Sequence, residues 1–408
     1  MKPHLRWVLR TGAFLLGGAA CAIAAVGAVS AFHPSAFANA VDIIADHDTQ
    51  NTFGPAGAFR QGHPARIFLV KKGTSSGAIE GFNPANNDKL RIADFGLAKP
   101  EAVKELMHED GRDIVLNLPG GPSIRLLNTS KESLPDTAFQ LELNRNGLHE
   151  TFAEDFNSFS WYAEGLVPDK DRQGRWRTHY GWQAANAEGS RSLPGESEVY
   201  GDAAFTGTAQ AALGLNPFHL SNGSLEIWGE PAPQHALPFI WGRRYVSGLI
   251  TTKYSFSQLY GVFEIRAKLP KGRGLWPAFW LLPADGTWPP EIDVFEVLGH
   301  ETGKLFVAAH TKAGGVHTAS GGDALVPDLS ADFHDFAVEW QKEEIRWYLD
   351  GVEIKRTATP GDMHKPMYLL ANLAIGGGWA GEPDSSTRFP AIYAIDWVRA
   401  YRREVKGQ

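Results

Sequence analysis

The chain has 408 residues, 39 Lys and Arg against 46 Asp and Glu, and 43% hydrophobic residues. That balance excludes an intrinsically disordered chain, and it offers no basic excess with which to neutralise a nucleic acid. The 13 Trp are unevenly spread: Trp7 stands alone, and the other twelve fall between Trp161 and Trp397.

At the N-terminus Lys2, Arg6 and Arg10 precede an uncharged stretch, Thr11 to Phe32, rich in Ala, Gly and Leu. Ala38-Asn39-Ala40 closes it with a small-x-small pattern suited to signal peptidase. Residues 1–40 therefore read as a signal peptide, and the product as secreted, extracellular or periplasmic. A retained anchor is the alternative, because the run approaches spanning length. After cleavage no stable membrane insertion is expected. Cys21, the single cysteine, would leave with the signal, and with it any disulfide or Cys-based chemistry.

Residues 41–65 are polar and contain much Gly and Ala, and read as a linker. Residues 66–145 hold no Trp and alternate short apolar runs with turns, as in Ile67 to Val70, Lys89 to Ile92, Ile114 to Leu118 and Ile124 to Leu127. Only Pro100 to Glu109 reads as a helix, with Pro near its start and acids early in it. The region is a small β-rich accessory module. Phe82-Asn83-Pro84, Asp88, Phe95-Gly96 and a strand pair split by Pro119-Gly120-Gly121 resemble the segment that follows calcium-binding nonapeptide repeats in secreted bacterial proteins. The Gly-Gly-x-Gly-x-Asp repeats are absent, so a structural or secretion-related role is preferred to calcium binding.

From residue 148 to 408 aromatic strands take over. Phe263, Ile265, Ala267 and Leu269 alternate with Glu264, Arg266 and Lys268, the period of a sheet with one buried face. Phe336, Val338 and Trp340 repeat the pattern, and Tyr393, Ile395, Trp397 and Arg399 supply a closing strand. Trp340 and Trp397 both read as core. Asp350-Gly351 between Trp347-Tyr348-Leu349 and Val352-Glu353-Ile354 predicts a two-residue type I′ hairpin. No long helix is evident, and one large antiparallel sandwich is expected.

Some motifs lead nowhere. Gly73-Thr74-Ser75-Ser76-Gly77 has the spacing of a nucleophile elbow but no following helix, and Gly376 to Gly381 runs into Glu382-Pro383-Asp384 where a dinucleotide-binding helix would begin. The 14 His form no helical metal-binding pair.

Glu291-Ile292-Asp293-Val294-Phe295-Glu296 is different. In a strand Glu291 and Asp293 share one face while Ile292 and Val294 point into the core. Glu296 would then also face the core, where an unpaired carboxylate is costly. A β-bulge near Val294-Phe295 inserts one residue and returns Glu296 to the carboxylate face. Two such acids suit glycoside cleavage with retention, one attacking the anomeric carbon and one donating and then accepting a proton. Asp293 between them would tune both by its charge.

The flanking segments strengthen this reading. Gly248-Leu249-Ile250-Thr251-Thr252, Tyr260 to Arg266 and Gly274 to Leu282 precede the acids, and Phe333-His334, Trp347 to Gly351 and Ile395 to Val398 follow them. In this order they resemble family 16 glycoside hydrolases of the bulged, laminarinase-like branch, and within it bacterial exopolysaccharide endo-β-1,3-1,4-glycanases, including those that shorten succinoglycan. The resemblance implies an all-β fold, a β-jelly-roll (concanavalin-like sandwich) with a concave cleft, preceded here by the small module. It implies Glu291 as nucleophile, Asp293 as its assistant and Glu296 as acid/base. Trp276, Trp280, Trp288, His310 and Trp379 match cleft positions that bind substrate, with Trp280 and Trp288 the first expected to be exposed there. Asp396 matches a structural calcium ligand of some relatives, and no cofactor is otherwise required. The expected partner is a polysaccharide, met by a monomer that hydrolyses it internally. Transglycosylation by the same carboxylates and non-catalytic glycan binding are the alternatives. Substrate choice is expected to rest on loops 313–324 and 376–386.

Overall fold

The computed structural model describes residues 42–45 (as a strand backbone), 65–161 and 174–404. The signal assigned to residues 1–40, with Cys21, lies outside them. Part of the expected linker is a strand. β1 (Asp42–Ala45) pairs antiparallel with β2 (Arg66–Val70), and its Ile43-Ile44 step is a good strand former.

The module continues with β3 (Gly77–Ile79), β4 (Lys89–Ile92), α1 (Pro100–Glu105), β5 (Met107–Asp110), β6 (Asp113–Asn117), β7 (Ser123–Leu126) and β8 (Phe139–Gln140). The expected helix is cut short. It ends at Glu105, because Met107–Asp110 pairs with β6 instead. Two four-stranded sheets result, ordered β1-β2-β4-β8 and β3-β7-β6-β5. They enclose a core of their own that includes Val70, Leu90, Ile114, Leu126 and Phe139.

Beyond it lies the sandwich. The strands are β9 (Leu148–Glu154), β10 (Glu198–Tyr200), β11 (Phe218–Ser221), β12 (Ser224–Pro231), β13 (Tyr245–Ser247), β14 (Leu249–Thr251), β15 (Gly261–Lys268) and β16 (Leu275–Pro283). Then come β17 (Glu291–Glu296), β18 (Lys304–Thr311), β19 (Thr318–Leu325), β20 (His334–Trp340), β21 (Glu344–Leu349), β22 (Val352–Ala358), β23 (Met367–Ile375) and β24 (Ala391–Arg403). Two short helical turns, α2 (Glu188–Arg191) and α3 (Gly377–Ala380), also lie in this region.

Ten strands form one sheet, with β10-β13-β12-β24-β15-β20-β21-β22 as its path. Six form the other, in the order β14-β23-β16-β17-β18-β19. The two pack through a continuous apolar core in which Phe263, Ile265, Phe336, Val338, Trp340 and Trp347 meet Phe279, Leu281, Ile292, Val294 and Phe295. This is the jelly-roll sandwich expected. The Asp350-Gly351 hairpin is also as expected, with φ of 50° and 77° closing Leu349 against Val352.

Trp397 is a correction. The β15–β24 register skips Asp396, pairing Ala267 with Ile395 and Arg266 with Trp397. The extra residue turns Trp397 away from the core, and the Arg399 guanidinium lies 5.4 Å above its ring. Most of loop 313–324 is likewise strand β19, leaving residues 312–317 as the turn.

The module joins the sandwich at the free edge of β22. Glu353 N donates to Leu141 O (2.9 Å) and Leu143 N to Gly351 O (2.8 Å), so residues 141–143 extend the ten-stranded sheet. Gln140 Nε2 donates to Ile354 O (2.8 Å) and Arg145 pairs with the buried Glu264 (2.6 Å). An edge that would otherwise be open to other chains is thereby covered.

Candidate active site

Alternate residues of β16, β17, β18 and β23 point away from the core and line a cleft of about 1830 Å³. β17 lies inside the six-stranded sheet, and its register is broken once. Against β18, Asp293 pairs with Ala308 and Glu296 with Phe306; against β16, Asp293 pairs with Trp280 and Phe295 with Phe279. Both neighbours advance one residue fewer than β17 does, which is a bulge at Val294-Phe295. Ile292, Val294 and Phe295 all enter the core, and Glu291, Asp293 and Glu296 all line the cleft. Within the bulge the Asp293 carbonyl accepts a hydrogen bond from Trp347 Nε1 (2.8 Å), a donor sent across the core from the other sheet. A bulge disrupts the ladder locally, and this donor serves a backbone acceptor there.

The two glutamates meet different surroundings. Trp288 Nε1 donates to Glu291 Oε2 (2.7 Å), and His310 Nε2 stands 4.0 Å from Glu291 Oε1 and 3.1 Å from Asp293 Oδ2. Burial and then the Asp293 charge push Glu291 up to about 8, while His310 and the Trp288 donor pull it back. Burial also works against the His310 imidazolium, yet Asp293 and Glu291 outweigh it and hold this histidine above its usual range. Glu296 is raised well above the usual carboxylate range by burial and by the charges of Asp293 and Glu291, and only Trp276 Nε1, donating to its Oε1 at 3.1 Å, opposes the rise. Glu291 thus has a donor and a cation favouring the ionised form, whereas Glu296 has one donor. Two acids whose environments separate them in this way can act as nucleophile and proton donor.

The aromatic residues expected in the cleft are all there, with one reversal. Trp288 is 59% exposed and Trp379 42%, but Trp280 only 8%. Trp280 is held in the wall by its Nε1 donating to Asn372 Oδ1 (2.8 Å), and Asn372 Nδ2 donates in turn to Tyr200 OH (3.0 Å). Near Glu296, Trp379 packs edge-on against Trp276 (5.0 Å) and Phe306 (4.8 Å). Gly321 of β19 also lines the cleft. Its φ of +129° and the Val307 carbonyl, 2.3 Å from where a Cβ would lie, leave room for glycine alone.

Sequence reasoning missed two exposed rings. Trp182 stacks on Tyr180 (4.2 Å between centroids, 8° between planes), and Tyr254 lies beneath the Arg177 guanidinium (4.7 Å); both line the cleft. Trp182 belongs to the skew in Trp placement, but it stands outside any strand, where alternation gives no direction.

Asp396 does not fit a calcium site. Its carboxylate lies 3.3 Å from Arg266 Nε, Asp335 engages Nη1 of the same guanidinium (2.8 Å), and a calcium ion needs six to eight oxygen ligands rather than a shared guanidinium. Among the described residues, Glu291, Asp293 and His310 are the one group of three such side chains with donor atoms within 4.8 Å of one another.

Comparison with known proteins agrees with this geometry. The model of the glycosyl hydrolases family 16 matches residues 221–399. The endo-1,3-1,4-β-glycanase EglC of Rhizobium meliloti (strain 1021) is 38% identical over 336 residues, covering 82% of this chain and 68% of the relative. ExsH, an endo-1,3-1,4-β-glycanase of the same organism, is 37% identical over 333 residues with the same coverage. A match of that extent must run into residues before 148. Among solved structures, the endo-β-1,3-glucanase of Pyrococcus furiosus is 28% identical, with a TM-score of 0.51, over 66% of this chain and 99% of that one. With a cleft of this build and relatives of this extent, the chain is a glycoside hydrolase acting on O-glycosyl bonds, and it belongs to family 16.

Proposed function

We propose that this enzyme is an endo-acting β-glycanase that hydrolyses an extracellular β-1,3/1,4-glucan or succinoglycan-like exopolysaccharide with retention. The observation that carries it is the bulge, which returns Glu296 to the face of Glu291 and leaves the two in unlike surroundings. The names of the Rhizobium relatives support the substrate class, and the open, Trp-lined cleft suits a polymer chain.

In the first step Glu296 gives its proton to the glycosidic oxygen as the Glu291 carboxylate attacks the anomeric carbon. The bond to the leaving sugar breaks and a glycosyl ester forms. In the second, Glu296, now ionised, takes a proton from water as that water attacks the same carbon and frees Glu291. Asp293 moves with neither proton. Its charge makes a second ionised neighbour costly and so favours the proton on Glu296. An export signal at residues 1–40 fits a substrate found outside the cell.

The test is reducing-end release from mixed-linkage glucan, laminarin, agar, carrageenan and succinoglycan by wild type and Glu291→Gln. Release by wild type alone is expected, on the β-1,3/1,4-linked substrates; equal release by both proteins would refute the assignment. Early NMR spectra of the product should show the β-anomer first, and the α-anomer first would rule out double displacement.

A further inference from the structure

Trp288 donates to Glu291 and His310 stands 4.0 Å from it, against Asp293; they come from different segments, and a third side chain touches both. His317 precedes β19 in the turn after β18. Its Nε2 lies 3.0 Å from His310 Nδ1, and its ring packs edge-on against Trp288 at 5.0 Å between centroids. The turn is itself anchored, since Asp362 accepts from Thr311 Oγ1 (2.5 Å) and from Lys312 N (2.8 Å).

The hydrogen-bond roles follow from what His310 faces. Its Nε2 side meets only acceptors, Asp293 Oδ2 and Glu291 Oε1, so that nitrogen carries a proton. The same acceptors favour the imidazolium, whose second N–H, at Nδ1, needs an acceptor in turn. His317 Nε2 is in place to be that acceptor.

We infer that His317 is a positioning residue: it accepts a hydrogen bond from His310 Nδ1 and props the Trp288 indole, so that one side chain aligns both groups that favour the charge of Glu291. This rests on the reading of Glu291 as nucleophile. His317 does not itself line the cleft, and its loss should slow turnover rather than weaken binding. No helix pattern marks it, because His310 and His317 meet across a turn.

The experiment compares His317→Leu and His317→Gln with wild type on the polysaccharide that wild type cleaves fastest, with Glu291→Gln alongside. Leucine fills similar space without an acceptor, and glutamine places an amide oxygen about where Nε2 lies. His317→Leu should lower kcat about tenfold with KM within about twofold, as expected for misaligned groups. His317→Gln should recover most of that loss. Melting temperatures of both should stay within about 2 °C of wild type, since the residue is exposed. Wild-type kcat in His317→Leu, equal damage in both variants, or a change in KM alone would overturn the inference. Undiminished activity of Glu291→Gln would instead overturn the reading beneath it.

Discussion

The two ends of β17 carry the same side chain into unlike regions. At the Glu291 end the neighbours are an indole N–H, a histidine held above its usual range and, through that histidine, His317. At the Glu296 end they are rings: Trp276, Trp379 and Phe306, with one indole N–H among them. Position along a strand gives a carboxylate its place, and the donors around it give it its charge. Both carboxylates are raised, but only the Glu291 end has a cation as well as a donor to favour the ionised form.

The largest test removes the carboxylates. Glu291→Gln and Glu296→Gln should each lower kcat by about 10²–10⁴-fold or more on polysaccharide. An aryl β-glycoside whose leaving group needs no protonation separates them. Glu296→Ala should still release the phenol in a fast first turnover and then stall at the glycosyl ester, whereas Glu291→Ala should show no burst. A burst from Glu291→Ala would reverse the two ends.

The donors offer a subtler contrast. Trp288→Phe keeps a ring and loses the N–H that lowers Glu291, so the acid limb of kcat/KM should move to higher pH. Trp276→Phe loses the N–H that lowers Glu296, so the alkaline limb should move to higher pH. Each lost bond to a charged group is worth about tenfold at the affected limb. Both variants raise a carboxylate, yet one narrows the active range and the other widens it. Movement of the same limb in both would erase the distinction between the ends.

The same charges affect folding. Glu291 binds its proton more tightly in the folded chain, at about 8, than at the ordinary carboxylate value of 4.5 in the unfolded one. Between those values the folded state holds more protons, so stability falls as pH rises. Glu291→Gln removes that dependence. Its melting temperature should exceed that of wild type by several degrees at pH 8 and by little at pH 4.5, measured by thermal unfolding.

Legibility followed the same physics. The bulge at Val294-Phe295 could be foreseen because an unbulged strand would bury Glu296, and the Asp350-Gly351 turn because two positive φ values need such residues. The bulge at Asp396 follows the same logic, since an unbulged strand would carry Arg399 onto the core face beside Ile395, but the apolar Trp397 in that alternation hides it. Trp182, Tyr254 and His317 lie on turns, where no period relates neighbours, and their contacts depend on where distant segments return. The cleft's floor, with Trp288 and Trp379 beside it, was legible, and the turns that carry Trp182, Tyr254 and His317 were not.

The smallest effect concerns the hinge between the two ends. Trp347→Phe keeps most of a fully buried ring and deletes the N–H that reaches the Asp293 carbonyl. An unsatisfied buried acceptor costs about 1–3 kcal/mol, which for a domain of this size lowers the melting temperature by about 2–4 °C per kcal/mol. The bulge should survive, because β16 and β18 both pair with β17 on each side of it. Both limbs of the pH profile should therefore stay in place, and kcat should fall less than about threefold. If one limb alone moved, the Trp347 bond would belong to that end of the strand. If neither moved while stability dropped, it would serve the backbone that both ends share, which is what its position between Glu291 and Glu296 requires.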